Sequence, residues 1–176
     1  MSNQKPADVI RKSIEQISDN QKTANVTFKV DTNLLEDLKC SAKIRNLPEI
    51  IIDEQTNFGG SNAGVNPVEL LLASLGTCQE IMYATYASLL GIKLNSVNVK
   101  LKGDIDLRGM LAIDEKVPSG FKNINFETNI ESDASEEVLV DLIDAVEEHC
   151  PVMDTLLREI AISGSAAING KEVFRS

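Results

Sequence analysis

The stretch from Asn66 to Gly91 constrains this chain more than any other, because both of its ends are punctuated as helix ends and no proline or β-branched run interrupts it. Asn66 is a good N-cap residue, Pro67 suits the first helical position, and Glu69 three residues after Asn66 completes a capping-box pattern. Gly91 is a natural C-terminal stop. Leu, Ala, Met and Tyr fall on nearly every side of the intervening run, which predicts a buried helix at the centre of the fold rather than a surface one.

The flanking segments read as strands and shorter helices. Residues 6–20 place Val9, Ile10, Ile14 and Ile17 at helical spacing, an amphipathic N-terminal helix. Val26, Phe28 and Val30 alternate, as do Leu38, Cys40, Ala42 and Ile44, and Ile50 to Ile52 form a β-branched run, so three strands are expected before the glycine-rich segment 55–65. After the central helix, Val97 to Leu107 and Ile124 to Ile130 alternate apolar and polar residues in the period of half-buried strands, with a loop expected over 108–120. Leu139, Leu142, Ile143, Val146 and Cys150 mark one face of a helix that Pro151 ends or bends. A turn or two through Met153 and Leu157 then leads to terminal strands at Ile160–Ile162 and Ala166–Ile168, with a turn at Asn169-Gly170. Strands then helix, repeated, make an α+β fold. With 176 residues the chain fits one domain. Residues 1–22 are read as a helical extension and 23–176 as the domain itself.

Composition narrows the partners. Seventeen basic against 27 acidic residues give a net charge of −10, which disfavours nucleic acid and anionic membrane surfaces in the absence of a basic patch. The N-terminal Met1-Ser2-Asn3-Gln4-Lys5-Pro6 is polar, unlike a secretion signal, and no uncharged apolar run is long enough to cross a membrane, so a cytoplasmic protein is expected. Three cysteines do not resemble the disulfide framework of a small secreted protein, and any disulfide is expected to be transient.

Chemistry is expected at two of those cysteines. Cys78 shares its helical face with Leu71, Ser74, Leu75, Met82 and Thr85, an arrangement that also suits a packed core thiol. Cys150 stands directly before Pro151, where the free N–H groups and positive dipole end of a following helix favour a thiolate. Cys40 falls on the Leu38, Ala42, Ile44 face of a strand and reads as core. His149, the sole histidine, reads as a solvent-facing residue near a helix end. Neither a Cys-x-x-Cys nor a His-x-x-x-His spacing is present, so no metal site is expected. The Gly59-Gly60-Ser61-Asn62-Ala63-Gly64 loop precedes a helix but lacks the lysine of a P-loop and the dinucleotide glycine spacing.

The run Gly59-Gly60 through Asn66-Pro67-Val68-Glu69-Leu70-Leu71-Leu72-Ala73-Ser74-Leu75-Gly76-Thr77-Cys78, followed by Cys150-Pro151-Val152, resembles the OsmC/Ohr family of osmotically induced and organic hydroperoxide resistance proteins. The likeness spans roughly residues 23–170 in element order. It implies curved antiparallel sheets around long central helices in an intertwined homodimer, with two active sites near the subunit interface. It also implies an enzyme, a thiol-dependent peroxidase of organic hydroperoxides. Cys78 would be the peroxidatic residue, passing through a sulfenic acid, and Cys150 the resolving thiol. No bound cofactor is implied, only an external dithiol or a lipoylated protein as reductant. The apolar residues Leu71, Leu75 and Met82 would line the substrate site.

Two positions depart from the family pattern. Val68 stands where hydroperoxidase members usually carry Glu; Glu69 is the nearest substitute, yet nine residues before Cys78 puts it about 180° away on a straight helix. The family's catalytic arginine comes from an early loop between strands, but Asp31 to Asp37 contains neither Arg nor Lys, which leaves Arg45 as the nearest candidate. Two further readings of the same fold stay open: a non-catalytic dimer that binds an apolar small molecule, and a thiol redox sensor that forms the disulfide without rapid turnover.

Overall fold

Helix α2 (Pro67–Leu90) forms between the ends its sequence marks. The Asn66 side chain accepts the Glu69 N–H at 2.8 Å and the Glu69 carboxylate accepts the Asn66 N–H at 2.9 Å, so two otherwise unpaired donors of the first turn are satisfied reciprocally. At the other end Gly91 turns left-handed, φ 72°, and its N–H bonds the Ala87 and Ser88 carbonyls. The computed structural model describes residues 4–175.

The strands form three separate antiparallel units. Strands β1 (Asp31–Glu36), β2 (Lys39–Lys43) and β3 (Ile50–Ile52) form one sheet in that order, with Cys40 opposite Leu34 and Ile52. Strands β4 (Leu94–Ile105) and β5 (Phe121–Ser132) form a long pair, joined through the short helix α3 (Leu107–Met110). Strands β6 (Ser165–Ile168) and β7 (Lys171–Arg175) form a terminal hairpin. Helix α4 (Glu136–His149) packs on α2, and α5 (Pro151–Leu157) follows it directly.

The core sits where α2, α4 and the β4–β5 pair meet. Tyr83 and Ala87 of α2, Ile92 and Leu94 at the entry to β4, and Leu142 and Val146 of α4 form one buried cluster. Helix α2 lies close on β4 because Gly76 has no side chain; a Cβ there would run into Leu101. The contact is tied further by the Glu80 carboxylate, which accepts the Val99 N–H at 3.3 Å from the strand. N-terminal helix α1 (Gln4–Asp19) rests on α2 through the buried Ala7 and a 2.9 Å bond from the Arg11 guanidinium to the Leu89 carbonyl.

The glycine-rich segment folds around an anion of its own. Asp53 is only 2% exposed, and its carboxylate accepts the N–H groups of Glu54, Ser61 and Ala63 at 2.8, 3.0 and 3.0 Å and the Ser61 hydroxyl at 2.6 Å. Gly60 and Gly64 permit this tight wrap, since a Cβ would collide with the Glu54 carbonyl at the first and the Ile51 carbonyl at the second. The donors that a Gly-rich loop offers to a phosphate are here turned inward onto a side chain.

Some expected elements move. The alternation at Val26, Phe28 and Val30 forms no strand; those residues are exposed, Phe28 to 89%, because no described strand lies beside them to pair. The strand instead covers Asp31–Glu36, the segment read as an early loop, where β2 supplies a pairing edge. Ile160–Ile162 is irregular, and the terminal strand starts at Ser165. Within the expected loop 108–120 the chain makes one helical turn, α3, because Asp106 caps it through the Arg108 N–H at 3.1 Å and pairs with the Arg108 guanidinium at 2.6 Å.

The surrounding donors, the Ser61 hydroxyl first among them, hold the Asp53 carboxyl at a pKa of about 2 against a usual 3.8. A depressed carboxylate contributes stability that is fully present above about pH 4 and is lost as pH falls through the folded value. Asp53→Asn is therefore expected to lower the urea midpoint at pH 7, and its gap from the parent protein to close between about pH 4 and pH 2. A gap that held constant over that range would mean the charge is not the source.

Candidate functional site

Cys78 sits in the middle of α2, half-buried, one turn beyond Leu75. Cys150 occupies the junction of two helices, serving at once as C-cap of α4 and N-cap of α5, and is wholly buried. The junction exists because Pro151 cannot continue α4 but suits the first position of α5. Packing of α2 against both α4 and α5 brings the two cysteines together, so that the Cys150 thiol and the Val152 N–H both act directly on the Cys78 sulfur.

The helix start at Pro151 thus serves a different sulfur from the one expected. The Cys150 side chain makes no capping bond to α5, whereas the Val152 N–H in the first turn acts on Cys78 and lowers its pKa. Burial is the largest influence on Cys78 and pushes its thiol pKa up; the Val152 N–H opposes this, and the neighbouring Cys150 thiol adds to the rise.

A cavity of about 610 Å³ opens between α2, β5 and α5; neither cysteine lines it, but Leu75 stands one turn before Cys78 and Met153 three residues after Cys150. Leu71 and Leu75 of α2 form one wall, Phe121, Ile124 and Phe126 of β5 another, and Met153, Leu156 and Leu157 a third. Its size lies within the roughly 300–1,000 Å³ of small-molecule sites. Leu71 and Leu75 line it as expected, but Met82 does not; about two turns beyond Leu75 on α2, it packs against the core cluster instead.

The remaining candidates lie elsewhere. Glu69 is engaged at the start of α2, with one carboxylate oxygen on the Asn66 N–H and the other accepting from Gln55 at 3.4 Å. Arg45 stands in the turn after β2 with φ 51° and lines a second depression with Phe28, Lys29, Val30 and Lys43. Cys40 is half-buried in β2. His149 is exposed, with Nδ1 3.1 Å from the Ala145 carbonyl and its ring edge-on to Tyr86. Among the described residues no cluster of His, Cys, Asp or Glu could hold a metal ion, and no helix is long and apolar enough to cross a membrane. Missed from sequence were Asp53, whose partners lie eight and ten residues away, and the α5 wall of the cavity, whose residues carry no motif.

A family model described as OsmC-like protein matches residues 59–164, a span that runs from the glycine loop past α5 and contains both cysteines. The chain belongs to the OsmC-like protein family. Solved structures agree at the level of fold. The OsmC-like protein of Mycoplasma pneumoniae superposes with a TM-score of 0.64 at 22% identity, covering 75% of this chain and 88% of the other. An organic hydroperoxide resistance protein from Elizabethkingia anophelis gives 0.57 at 20%, covering 76% and 91%. One from Legionella pneumophila gives 0.57 at 16%, covering 76% and 92%. No curated protein matches the chain. Helix α1 lies outside the matched OsmC-like segment.

Because burial raises the Cys78 pKa, alkylation of this OsmC-like protein by iodoacetamide is expected to reach half its limiting rate at Cys78 at a higher pH in the folded protein than in the urea-unfolded chain. Mass spectrometry of the Cys78 peptide across a pH series measures both midpoints. A folded midpoint below the unfolded one would show that the Val152 N–H outweighs burial.

Proposed function

We propose that this OsmC-like protein reduces organic hydroperoxides through a thiol pair, with Cys78 as the nucleophile and Cys150 as the resolving thiol. The observation that carries the reading is the meeting of Cys78 on α2 with the α4–α5 junction at Cys150, close to an apolar cavity that Leu71, Leu75 and Met153 help to line. Two relatives of the same fold are named organic hydroperoxide resistance proteins, which supports a peroxide-related redox role.

The steps balance without a bound cofactor. The Cys78 thiolate attacks the terminal oxygen of a hydroperoxide, an S–O bond forms as the O–O bond breaks, and the departing alkoxide takes up a proton to leave as the alcohol. Sulfur is oxidised by two electrons to a sulfenic acid. Cys150 then attacks that sulfur, the S–S bond forms and water leaves. An external dithiol, free or carried on a lipoylated protein, exchanges with the disulfide and departs oxidised, restoring both thiols. The three unpaired cysteines suit a reducing, cytoplasmic setting.

An intertwined homodimer belongs to this reading. Helix α2 is not enclosed on all sides within one chain: Ala73, Thr77, Ile81 and Ala84 form an exposed stripe along it, with Ile81 65% exposed. Val26, Phe28, Val30, Leu34 and Leu35 are exposed at one end of the chain and Ile162, Val173 and Phe174 at the other. Unpartnered apolar surface of this kind marks an interface. Sedimentation equilibrium is expected to return twice the 19.2 kDa of the chain; a monomer mass would contradict the assembly.

Cys78→Ser is expected to abolish dithiol-dependent consumption of cumene hydroperoxide. Cys150→Ser is expected to retain one turnover, leaving a sulfenic acid at Cys78 that dimedone traps, while losing steady-state activity. Turnover that survives in Cys78→Ser sinks the assignment. The rise in the Cys78 pKa favours a second reading, a redox sensor, because a thiol held neutral attacks peroxide slowly. Its signature is peroxide-driven Cys78–Cys150 disulfide formation with negligible steady-state turnover.

A further inference from the structure

We infer that helix α1 belongs to the surface through which two copies of this chain associate, with Ile14 and Ile17 packing on the partner subunit. The inference rests on the homodimer of the proposed function and adds to it an element outside the matched OsmC-like segment.

Ala7, Ile10, Ile14 and Ile17 follow one another at helical spacing and share one face of α1. Cover for that face ends early. Ala7 is buried and Ile10 half-buried, but every residue from Arg11 to Asp19 is exposed, Ile14 and Ile17 among them. The Arg11 guanidinium bonds the Leu89 carbonyl at 2.9 Å, in the last turn of α2, so α1 docks within the chain by its first two turns and leaves the rest of its apolar face bare. Isolated helices shorter than about 12–15 residues are marginal in water, and a helix of 16 residues owes most of its stability to the packing of its apolar face. The bare half of α1 therefore calls for a second surface to cover it.

The place where α1 docks identifies that surface. Ala73, Thr77, Ile81 and Ala84 lie bare along one side of α2, whereas Ser88, one turn beyond Ala84 on the same side, is only 5% exposed. That end of α2 is where α1 rests, so the bare face of α1 adjoins the bare stripe of α2. Neither face carries an ionisable side chain at Ile14, Ile17, Ala73, Thr77, Ile81 or Ala84, so two chains of −10 each can meet there without like charges at the contact. Two-fold association uses the same patch on both copies, and a patch continuous over α2 and α1 meets itself across the axis. A membrane surface fits less well. Residues 6–19 carry Asp8, Glu15 and Asp19 against Arg11 and Lys12, whereas a helix that lies on anionic lipid is rich in bases.

Sedimentation equilibrium on the reduced full-length protein and its variants tests the inference without any peroxide chemistry. Ile14→Glu and Ile17→Glu are each expected to raise the dimer dissociation constant at least about tenfold, because each would bury a carboxylate without a partner. Val9→Glu, the same change at an exposed residue of α1 away from the stripe, is expected to leave it unchanged. Hydrogen exchange reads the contact directly: the amides of residues 12–19 are expected to be protected well above the dissociation constant and to lose protection on dilution below it, or in Ile81→Glu, where the α2 stripe is interrupted. A constant that does not move in Ile14→Glu and Ile17→Glu, or protection of residues 12–19 that ignores concentration or rises only when phosphatidylcholine vesicles are added, would overturn the inference. A dimer that Ile81→Glu dissociates while Ile14→Glu and Ile17→Glu leave it intact removes the role of α1 and keeps the homodimer; a parent protein that sediments as a monomer at every concentration removes both.

Discussion

The seating of α2 on β4 and α4 is the contact on which the site depends. Gly76 lies against the Leu101 side chain where the two elements meet, and the Glu80 carboxylate holds the Val99 N–H across the same contact. Two residues past Gly76 on the same helix is Cys78, so the seating of α2 also sets where its sulfur lies. Tyr83 and Ala87 farther along pack on Leu142 and Val146, which places α4 and, through Pro151, the start of α5. The sulfur of one helix meets the junction of two others because α2 packs on β4, α4 and α5 at once.

Much of this was legible in residue patterns, and what escaped them did so for identifiable reasons. The Asn66-Pro67-Val68-Glu69 start and the Gly91 stop of α2 are local chemistry, complete within a few residues, and both form as read. The alternation of β4 and β5 is equally local, and Ile124 and Phe126 do face inward. The pattern at Val26, Phe28 and Val30 has the same period but pairs with no strand among the described residues, and without a ladder periodicity alone makes no strand. Asp53 shows the opposite failure: nothing in its own neighbourhood signals a buried anion, since its donors arrive from the loop that returns at Ser61 and Ala63.

The candidate site divides in the same way. The two cysteines could be named because each sits in a distinctive run, but which sulfur the α5 N–H groups would serve depends on how α2 and α5 pack. Adjacent N–H groups do not necessarily serve the residue that precedes them. Here the capping position is filled by a buried thiol that makes no capping bond, and the Val152 N–H reaches across to the other helix.

This arrangement separates two demands that a thiol pair places on its surroundings. Attack on an oxidant requires a thiolate, and burial of Cys78 works against it, with the Val152 N–H only a partial offset. Resolution requires that the second thiol reach the oxidised sulfur before anything else does, and here the wholly buried Cys150 already acts on Cys78. Groups held in place this way react with effective concentrations far above those of free thiols. On the proposed function this arrangement favours resolution over attack, because burial raises the Cys78 pKa while Cys150 stands next to it. On the proposed function, residence in the apolar cavity would bring an oxidant to the sulfur more often without making that sulfur a better nucleophile, so selection of the substrate and activation of the thiol stay separate demands.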